Sequence, residues 1–353
     1  MFTRCRAVRS GTQLLLGSRA LADWILGGGR LPRRHLRCSL RLRWHAYWFE
    51  LNWRTEEQQL AESALPPDPV FILGLWRSGT TVLHELLTAC APWTTPRTWQ
   101  CFRPSTCFLT RAPSQGTVAY RPMDRGRIET SSPQEDEFAL LLLGEPSAYR
   151  GFIDPRRLRD CGERLWCGEE GPLRRWQDFL RGLAATAPGA RMLLKSPNHT
   201  FRLPRLRALF PDARFVWIGR HTGEVLASNA KMWRAMMDLY GLWECPPGAL
   251  EGFLQDMVRA GAAALGRCLE ETPRDRLLWL EFEQLRLHPR ETLLRVLSFL
   301  GADSRAADGA GTRGVDEALA NIPIHSGSRA GLPDDPHVAA LERAMAAARQ
   351  RFG

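Results

Sequence analysis

In FILGLWRSGTTVLHELL, residues 71–87, Gly74 and Gly79 bracket four residues, and Thr80 and Thr81 follow. A short apolar run, a glycine-bracketed loop and a helical pattern, in that order, form the context a phosphate-gripping loop requires. Backbone N–H groups and the positive end of the helix dipole do the gripping. A nucleoside triphosphatase carries a lysine directly after the second glycine, where it reaches the terminal phosphates. Thr80 stands there in this chain, and the cation of the loop is Arg77, two residues before Gly79. Arg77, Ser78, Gly79, Thr80 and Thr81 therefore suit one phosphate with one transferable group. A magnesium-bound triphosphate would ask for the missing lysine.

All but two of the 48 basic residues are arginine; Lys195 and Lys231 are the exceptions. An ammonium is a compact, strongly hydrated point charge that a guanidinium does not replace. Lys195 ends RMLLK, a short apolar run read as a strand, and Arg220 ends ARFVWIGR, a second one. His199 follows the KSP turn, and Glu135, Asp136 and Glu137 open a helix after Pro133. Runs at 69–74, 191–196, 213–220 and 276–283 alternate with helical patterns at 80–90, 133–144, 171–189, 200–210, 222–237 and 289–301. That alternation predicts an α/β fold, a central parallel sheet flanked by helices in three layers. Ligands of such sheets sit beyond the carboxyl ends of the strands. Those ends carry the loop, Lys195, Arg220 and Glu281. Residues 91–133, rich in Pro, Thr, Ser and Arg, are expected to be loops.

PVFILGLWRSGTTVLHELL resembles the 5′-phosphosulfate loop of sulfotransferases that use 3′-phosphoadenosine 5′-phosphosulfate (PAPS). It is closest to the bacterial-type subgroup, which reads roughly FIxGxPRSGTT. RFVWIGRHTGEVLASN resembles that family's 3′-phosphate motif, with Arg220 and Ser228 eight residues apart. RPMD (121–124), SPQEDEFALL (132–141), LLKSPNHT (193–200) and FEQLRLHP (282–289) resemble further segments. The resemblance covers about residues 69–301. It implies a P-loop-type fold, PAPS as co-substrate with 3′,5′-ADP as product, no metal, and an acceptor with a hydroxyl or amine on a glycan, lipid or small molecule.

PAPS carries two separate anions, so its site needs two anion holders. The loop residues are one; Arg220, which can fork onto phosphate oxygens, and Ser228 are the other. Phe282, where the family often has tyrosine, retains a ring for stacking. For the reaction, the resemblance puts Arg77 where many sulfotransferases carry a catalytic loop lysine, and Lys195, a rare lysine at a strand end, is placed to reach the sulfuryl oxygens. For the base there are two candidates: His199, and one of the acids Glu135, Asp136 and Glu137, of which Glu137 is favoured; the structural reading weighed against the acids is a match to the helix dipole. Four positions depart from the pattern: Trp76 and Thr222 replace prolines, Gln100 a glutamate and Phe282 the tyrosine.

Two other readings stand beside this one. A nucleotide kinase or NTPase with a degenerate loop is opposed by Thr80 and by the want of a hydrophobic strand ending in Asp; LLWLEFE, with Glu281, comes nearest. A catalytically silent sulfotransferase-fold binder is the other.

The chain has 353 residues, 44% apolar, and a net charge of +10, which favours acidic ligands. No Arg/Lys tract with interleaved aromatics outside the N-terminus suggests nucleic acid. Nine scattered cysteines, none in a CxxC pair, read as reduced thiols; with a donor made in the cytosol they suggest a cytoplasmic protein. Three units are expected: 1–60, an arginine-rich extension; 61–301, the α/β domain; and 302–353, a loop and a C-terminal helix packed on it. The extension reads as a helix packed on the domain, set against two alternatives that together weigh about the same: a targeting sequence, or a segment of residues 1–50 lying on anionic lipid.

Overall fold

The computed structural model describes residues 48, 51–54, 60, 64–110, 118–121, 124, 126–302, 310–324 and 331–353. The targeting and membrane-surface expectations for residues 1–50 thus fall almost wholly outside the described residues. Among the described residues no helix is long and apolar enough to cross a membrane.

From the first strand the chain runs through β1 (Val70–Leu73), α1 (Thr80–Cys90), α2 (Thr98–Cys101) and a hairpin, β2 (Val118–Tyr120) and β3 (Arg127–Glu129). Next come α3 (Asp136–Leu142), α4 (Arg150–Ile153), α5 (Leu158–Trp166) and α6 (Arg174–Thr186). β4 (Leu193–Lys195), α7 (Leu203–Leu209), β5 (Arg214–Gly219) and α8 (Thr222–Tyr240) follow. The remainder is α9 (Ala249–Glu271), β6 (Leu277–Glu281), α10 (Phe282–Leu287), α11 (Pro289–Leu300), α12 (Ala310–Asn321) and α13 (Pro336–Phe352).

The central sheet is parallel, in the order β4-β1-β5-β6. Its register sets Ile72 beside Lys195 and Leu73 beside Trp217. Side chains alternate across a strand, so each strand feeds two cores. Val70, Ile72, Val216, Ile218, Leu278 and Leu280 join Leu83, Leu86 and Leu87 of α1 and Val296 and Leu300 of α11 on one face. Phe71, Leu73, Phe215, Trp217 and Trp279 face the larger aromatic core on the other. Burial on both faces explains why these strands read as unbroken apolar runs. The chain leaves β1 for β4 on one side and returns to β5 on the other, so the strand order reverses at β1. The crevice where ligands of open α/β sheets collect therefore lies at the end of β1.

Several sequence expectations meet local corrections. The helix expected over 200–210 divides into a 3-10 turn, Pro197–Phe201, and α7, with Pro204 in the first turn of the latter. Proline is tolerated there and would break the helix interior. The run expected as strand to 283 stops at Glu281, because Glu281 and Gln284 form a reciprocal capping box that starts α10. The expected loop region 91–133 holds α2 and the β2–β3 hairpin, and α4, α5 and the long α9 are further additions.

Asp335 caps α13 by accepting from the backbone N–H of His337 and Val338, with Pro336 behind it. Val338, Leu341, Met345, Ala348 and Phe352 then join the core that α9 also lines. The seven described cysteines are free thiols. Burial pushes Cys268 up to about 12 and Cys90 and Cys161 up to about 11, so these thiols are inert near neutral pH.

Candidate active site

The loop between β1 and α1 needs its two glycines for different reasons. Gly74 has φ 145°, and a Cβ there would stand 2.5 Å from the Ile218 carbonyl oxygen and 2.6 Å from Ser78 Oγ. Gly79 has φ 106°, and a Cβ there would meet the Phe282 ring at 2.4 Å. Gly79→Ala is accordingly expected to push Phe282 aside and to abolish binding of 3′,5′-ADP at concentrations that saturate the wild type, read by calorimetry. Wild-type affinity in that variant would show that the loop is not the donor seat. Thr200 clamps the base of the loop, accepting from Gly74 N and donating to Gly74 O, both at 2.9 Å.

Among the described residues no side chain caps α1 and no acid lies in its first turn. Its leading N–H groups are left for an anion. Among the described residues the buried Ser78 hydroxyl has no hydrogen-bond partner. A buried hydroxyl without a partner is costly, and a phosphate oxygen would satisfy it.

Arg77 joins the loop to the second set of residues. Its φ of 71° is unusual for a side-chain-bearing residue. That turn sends its Nε to Ser228 Oγ, 2.9 Å away on α8, and its Nη2 to Asp124, 3.0 Å away. Its carbonyl accepts from Arg220 Nη1 at 3.2 Å. Arg220 lies over the Phe282 ring at 4.5 Å and pairs with Glu224 at 2.8 Å. Arg77, Arg220, Ser228 and Phe282 thus form one contiguous cluster against the loop.

On the other side of β1, Lys195 is buried at the end of β4. Its Nζ donates to Thr81 Oγ1 at 3.1 Å and pairs with Glu135 Oε1 at 2.5 Å. Glu135 Oε2 accepts from the Tyr149 hydroxyl at 2.5 Å, and that hydroxyl accepts from Trp76 Nε1 at 3.0 Å. A line of hydrogen bonds therefore runs from Trp76, in the loop between β1 and α1, through Tyr149, Glu135 and Lys195 to Thr81 in the first turn of α1.

The two base candidates lie beneath this line. His199 is fully buried. It donates from Nε2 to Asp136 at 2.8 Å, and its Nδ1 faces Arg202 Nη1 at 3.3 Å. A guanidinium only donates, so the one free lone pair of the ring is already engaged. Glu137 is also fully buried. It accepts from both terminal nitrogens of Arg202, and from Ser147 Oγ at 2.5 Å. Arg202 in turn holds Glu170 at 2.6 Å. Burial alone would lower the Arg202 pKa, but Glu137 and Glu170 more than offset it and hold the guanidinium well above its ordinary value. Burial pushes Asp136 up, and the contacts with His199 and the Trp176 indole outweigh it, leaving the carboxyl below its ordinary range. These residues form an internal charge network. Glu135, beside Lys195 and less deeply buried, is the acid that meets the rim.

The four departures acquire reasons. The Trp76 indole packs on Phe201, Trp233 and Phe253 and reaches Tyr149. Thr222 donates its backbone N–H to Glu342 of α13 at 3.0 Å, a bond proline lacks. Gln100 Oε1 accepts from Arg97 N at 2.8 Å and closes the first turn of α2. Phe282 seats both Gly79 and Arg220. Glu281, the nearest match to a metal-holding acid, is held by Trp279 Nε1 at 2.8 Å and by Arg349 at 2.8 Å. His84 is buried against Thr95, and burial, then Lys195 and Arg97, push its pKa well below the ordinary value.

Residues 69–305 match the model of the sulfotransferase family. The chain is 32% identical over 257 residues to an omega-hydroxy-beta-dihydromenaquinone-9 sulfotransferase, Stf3, of Mycobacterium bovis, and equally to that of Mycobacterium tuberculosis. The match takes in 69% of this chain and 65% of those relatives, so it spans slightly less than two thirds of their length. Among solved structures, the sulfotransferase STF9 from Mycobacterium avium has a TM-score of 0.64 at 20% identity, over 86% of this chain and 81% of its own. The sulfotransferase STF1 from Mycobacterium tuberculosis has 0.62 at 16% identity, over 96% and 93%. At those identities the likeness is one of fold.

Proposed function

The chain belongs to the sulfotransferase family, and from that premise we propose that it moves a sulfuryl group from PAPS to a hydroxyl, or an amine, of an acceptor. The observation that carries this is Arg77, whose side chain and carbonyl tie the phosphate loop to Ser228 and Arg220. The loop would take one anion and Arg220 with Ser228 the other, with Lys195 and Glu135 joined to the loop side through Thr81. The buried Ser78 hydroxyl and the uncapped start of α1 suit the 5′-phosphosulfate. Glu281 Oε1 is engaged by Trp279 and Arg349.

In the proposed reaction Lys195 turns from Glu135 toward the sulfuryl oxygens and frees Oε1. Glu135 Oε1 then takes the proton of the acceptor hydroxyl as the acceptor oxygen bonds to sulfur. The bond from sulfur to the phosphate oxygen breaks, and 3′,5′-ADP leaves. Arg77 and the loop N–H groups meet the charge that develops on the phosphate, an electrostatic stabilisation aimed at the transition state. The acceptor class is a glycan, lipid or small-molecule hydroxyl. The lipid hydroxyl in the name of the mycobacterial relatives makes hydroxylated lipids the first to try.

Thermal melting with 3′,5′-ADP and with Mg-ATP tests the donor. At a hundredfold excess over the dissociation constant, 3′,5′-ADP should stabilise the protein by about 2.7 kcal/mol, and Arg77→Ala should remove that gain. Stabilisation by Mg-ATP and none by 3′,5′-ADP would rule the reading out in favour of a nucleotide kinase or NTPase.

A further inference from the structure

We propose that Tyr149 is a positioning residue for the base: anchored by Trp76, its hydroxyl holds Glu135 Oε2 so that only Oε1 is presented to the acceptor proton. This rests on the reading of Glu135 as base and adds to it a polarity and a residue that the sequence motifs do not mark.

Donor and acceptor chemistry fix the direction of each bond. An indole N–H can only donate, so the Tyr149 oxygen accepts from Trp76. Its one hydroxyl proton is then directed to Glu135 Oε2, 2.5 Å away. Lys195 also only donates, so Oε1 is an acceptor as well. The two carboxylate oxygens therefore have different fates. Oε1 is released when the Lys195 ammonium turns to a sulfuryl oxygen. Oε2 stays fixed by a phenol that is 3% exposed and packed on Phe152, Phe138 and Trp233. Burial, and then the neighbouring carboxylate of Glu135, push the Tyr149 phenol well above its ordinary value, so it remains a donor at any working pH.

Trp76 gives the arrangement a second consequence. It sits inside the phosphate loop, with its carbonyl accepting from Asn229 at 2.6 Å. The orientation of Glu135 is thereby referenced to the loop that would hold the donor phosphate. A proline at this position could neither donate to Tyr149 nor fill the aromatic cluster.

The test has two arms. The chain has four tyrosines, so 13Cζ-tyrosine labelling gives at most four resonances, and Tyr149→Phe identifies one. That resonance should shift in Trp76→Phe and in Glu135→Gln, while those of Tyr120 and Tyr240 stay in place. In the second arm, transfer of labelled sulfate from [35S]PAPS into a lipid and glycan extract of the source cells is followed against pH. Tyr149→Phe should lower kcat about ten- to a hundredfold, part of the 10²–10⁴ that a general base supplies. Its KM for PAPS should stay within about twofold, and the acid limb of the rate should move to higher pH, because the carboxylate has lost a donor. Trp76→Phe, which retains the ring, should show a smaller change of the same kind, and the double variant should be no slower than Tyr149→Phe. An unmoved acid limb in Tyr149→Phe, or a Tyr149 resonance blind to Glu135→Gln, overturns the proposal. A wild-type protein that transfers no label yet shows the resonance shifts would sink the sulfotransferase reading instead, and the positioning role with it.

Discussion

An Arg202→Met variant is expected to lose about 3–5 kcal/mol of stability, the usual consequence of removing one partner from a buried ion pair. Arg202 is 3% exposed, and it is the shared cation of two acids, Glu137 and Glu170, that are as deeply buried. Methionine fills much of the volume but leaves both carboxylates without the guanidinium, together with the contact to His199 Nδ1. The effect should therefore exceed that of any surface pair in the chain, such as Arg234 with Glu251, for which exposed pairs suggest about 0–1 kcal/mol. Urea unfolding gives the comparison directly. The deficit should shrink on acidification, since a protonated carboxyl is cheaper to bury than a carboxylate. Adding Glu137→Gln and Glu170→Gln should recover part of it at neutral pH. An Arg202→Met protein with a wild-type urea midpoint would mean that water or another cation reaches these acids and that the network is not closed.

That network also marks where reading from residues runs out. The phosphate loop was legible because its demands are local: two glycines in conformations only glycine tolerates well, a strand before and a helix after. The four sheet strands were legible because both faces are covered, which leaves unbroken apolar runs at the right lengths. Arg220 and Ser228 are paired with the loop through the resemblance of RFVWIGRHTGEVLASN to the family's 3′-phosphate motif; taken alone, Arg220 reads as a strand-end charge. The three acids at 135–137 could not be sorted in the same way. Glu135 is the extended residue that precedes α3, and Asp136 and Glu137 point about 100° apart in its first turn, so only tertiary packing says which acid faces what. Glu135 meets Lys195, 60 residues away; Asp136 meets His199, 63 away; Glu137 meets Arg202, 65 away. Nothing periodic links those partners. Glu170 and Arg202 carry no motif or periodicity in the sequence that would join them to these acids. Trp76 stands out in the sequence only as a departure from the family pattern, and only the fold joins it to Tyr149 as donors in one line.

Glu135→Gln is expected to leave 3′,5′-ADP affinity intact and to slow sulfuryl transfer by about 10²–10⁴-fold, the range for loss of a general base. Glutamine keeps the length and planarity of the side chain and one oxygen for Tyr149, so the core around Phe138 and Phe152 should pack as before. What it loses is the ability to take a proton on the side facing Lys195. Lys195→Ala should slow transfer by about 10²–10³-fold for a different reason, the loss of a preorganised charge at the reacting oxygens. The two losses should not add, because Lys195 also controls access to Glu135 Oε1. His199→Gln and Glu137→Gln provide the contrast. Both residues are sealed in the charge network, so their variants should lose stability, and their rate per folded molecule should fall far less than that of Glu135→Gln. Single-turnover rates with [35S]PAPS, normalised to the fraction that binds 3′,5′-ADP, separate the two kinds of damage. If Glu135→Gln turned over at the wild-type rate while folded His199→Gln was dead, the base would have to be sought in the imidazole, and the side chains around Arg202 would have to open during the reaction.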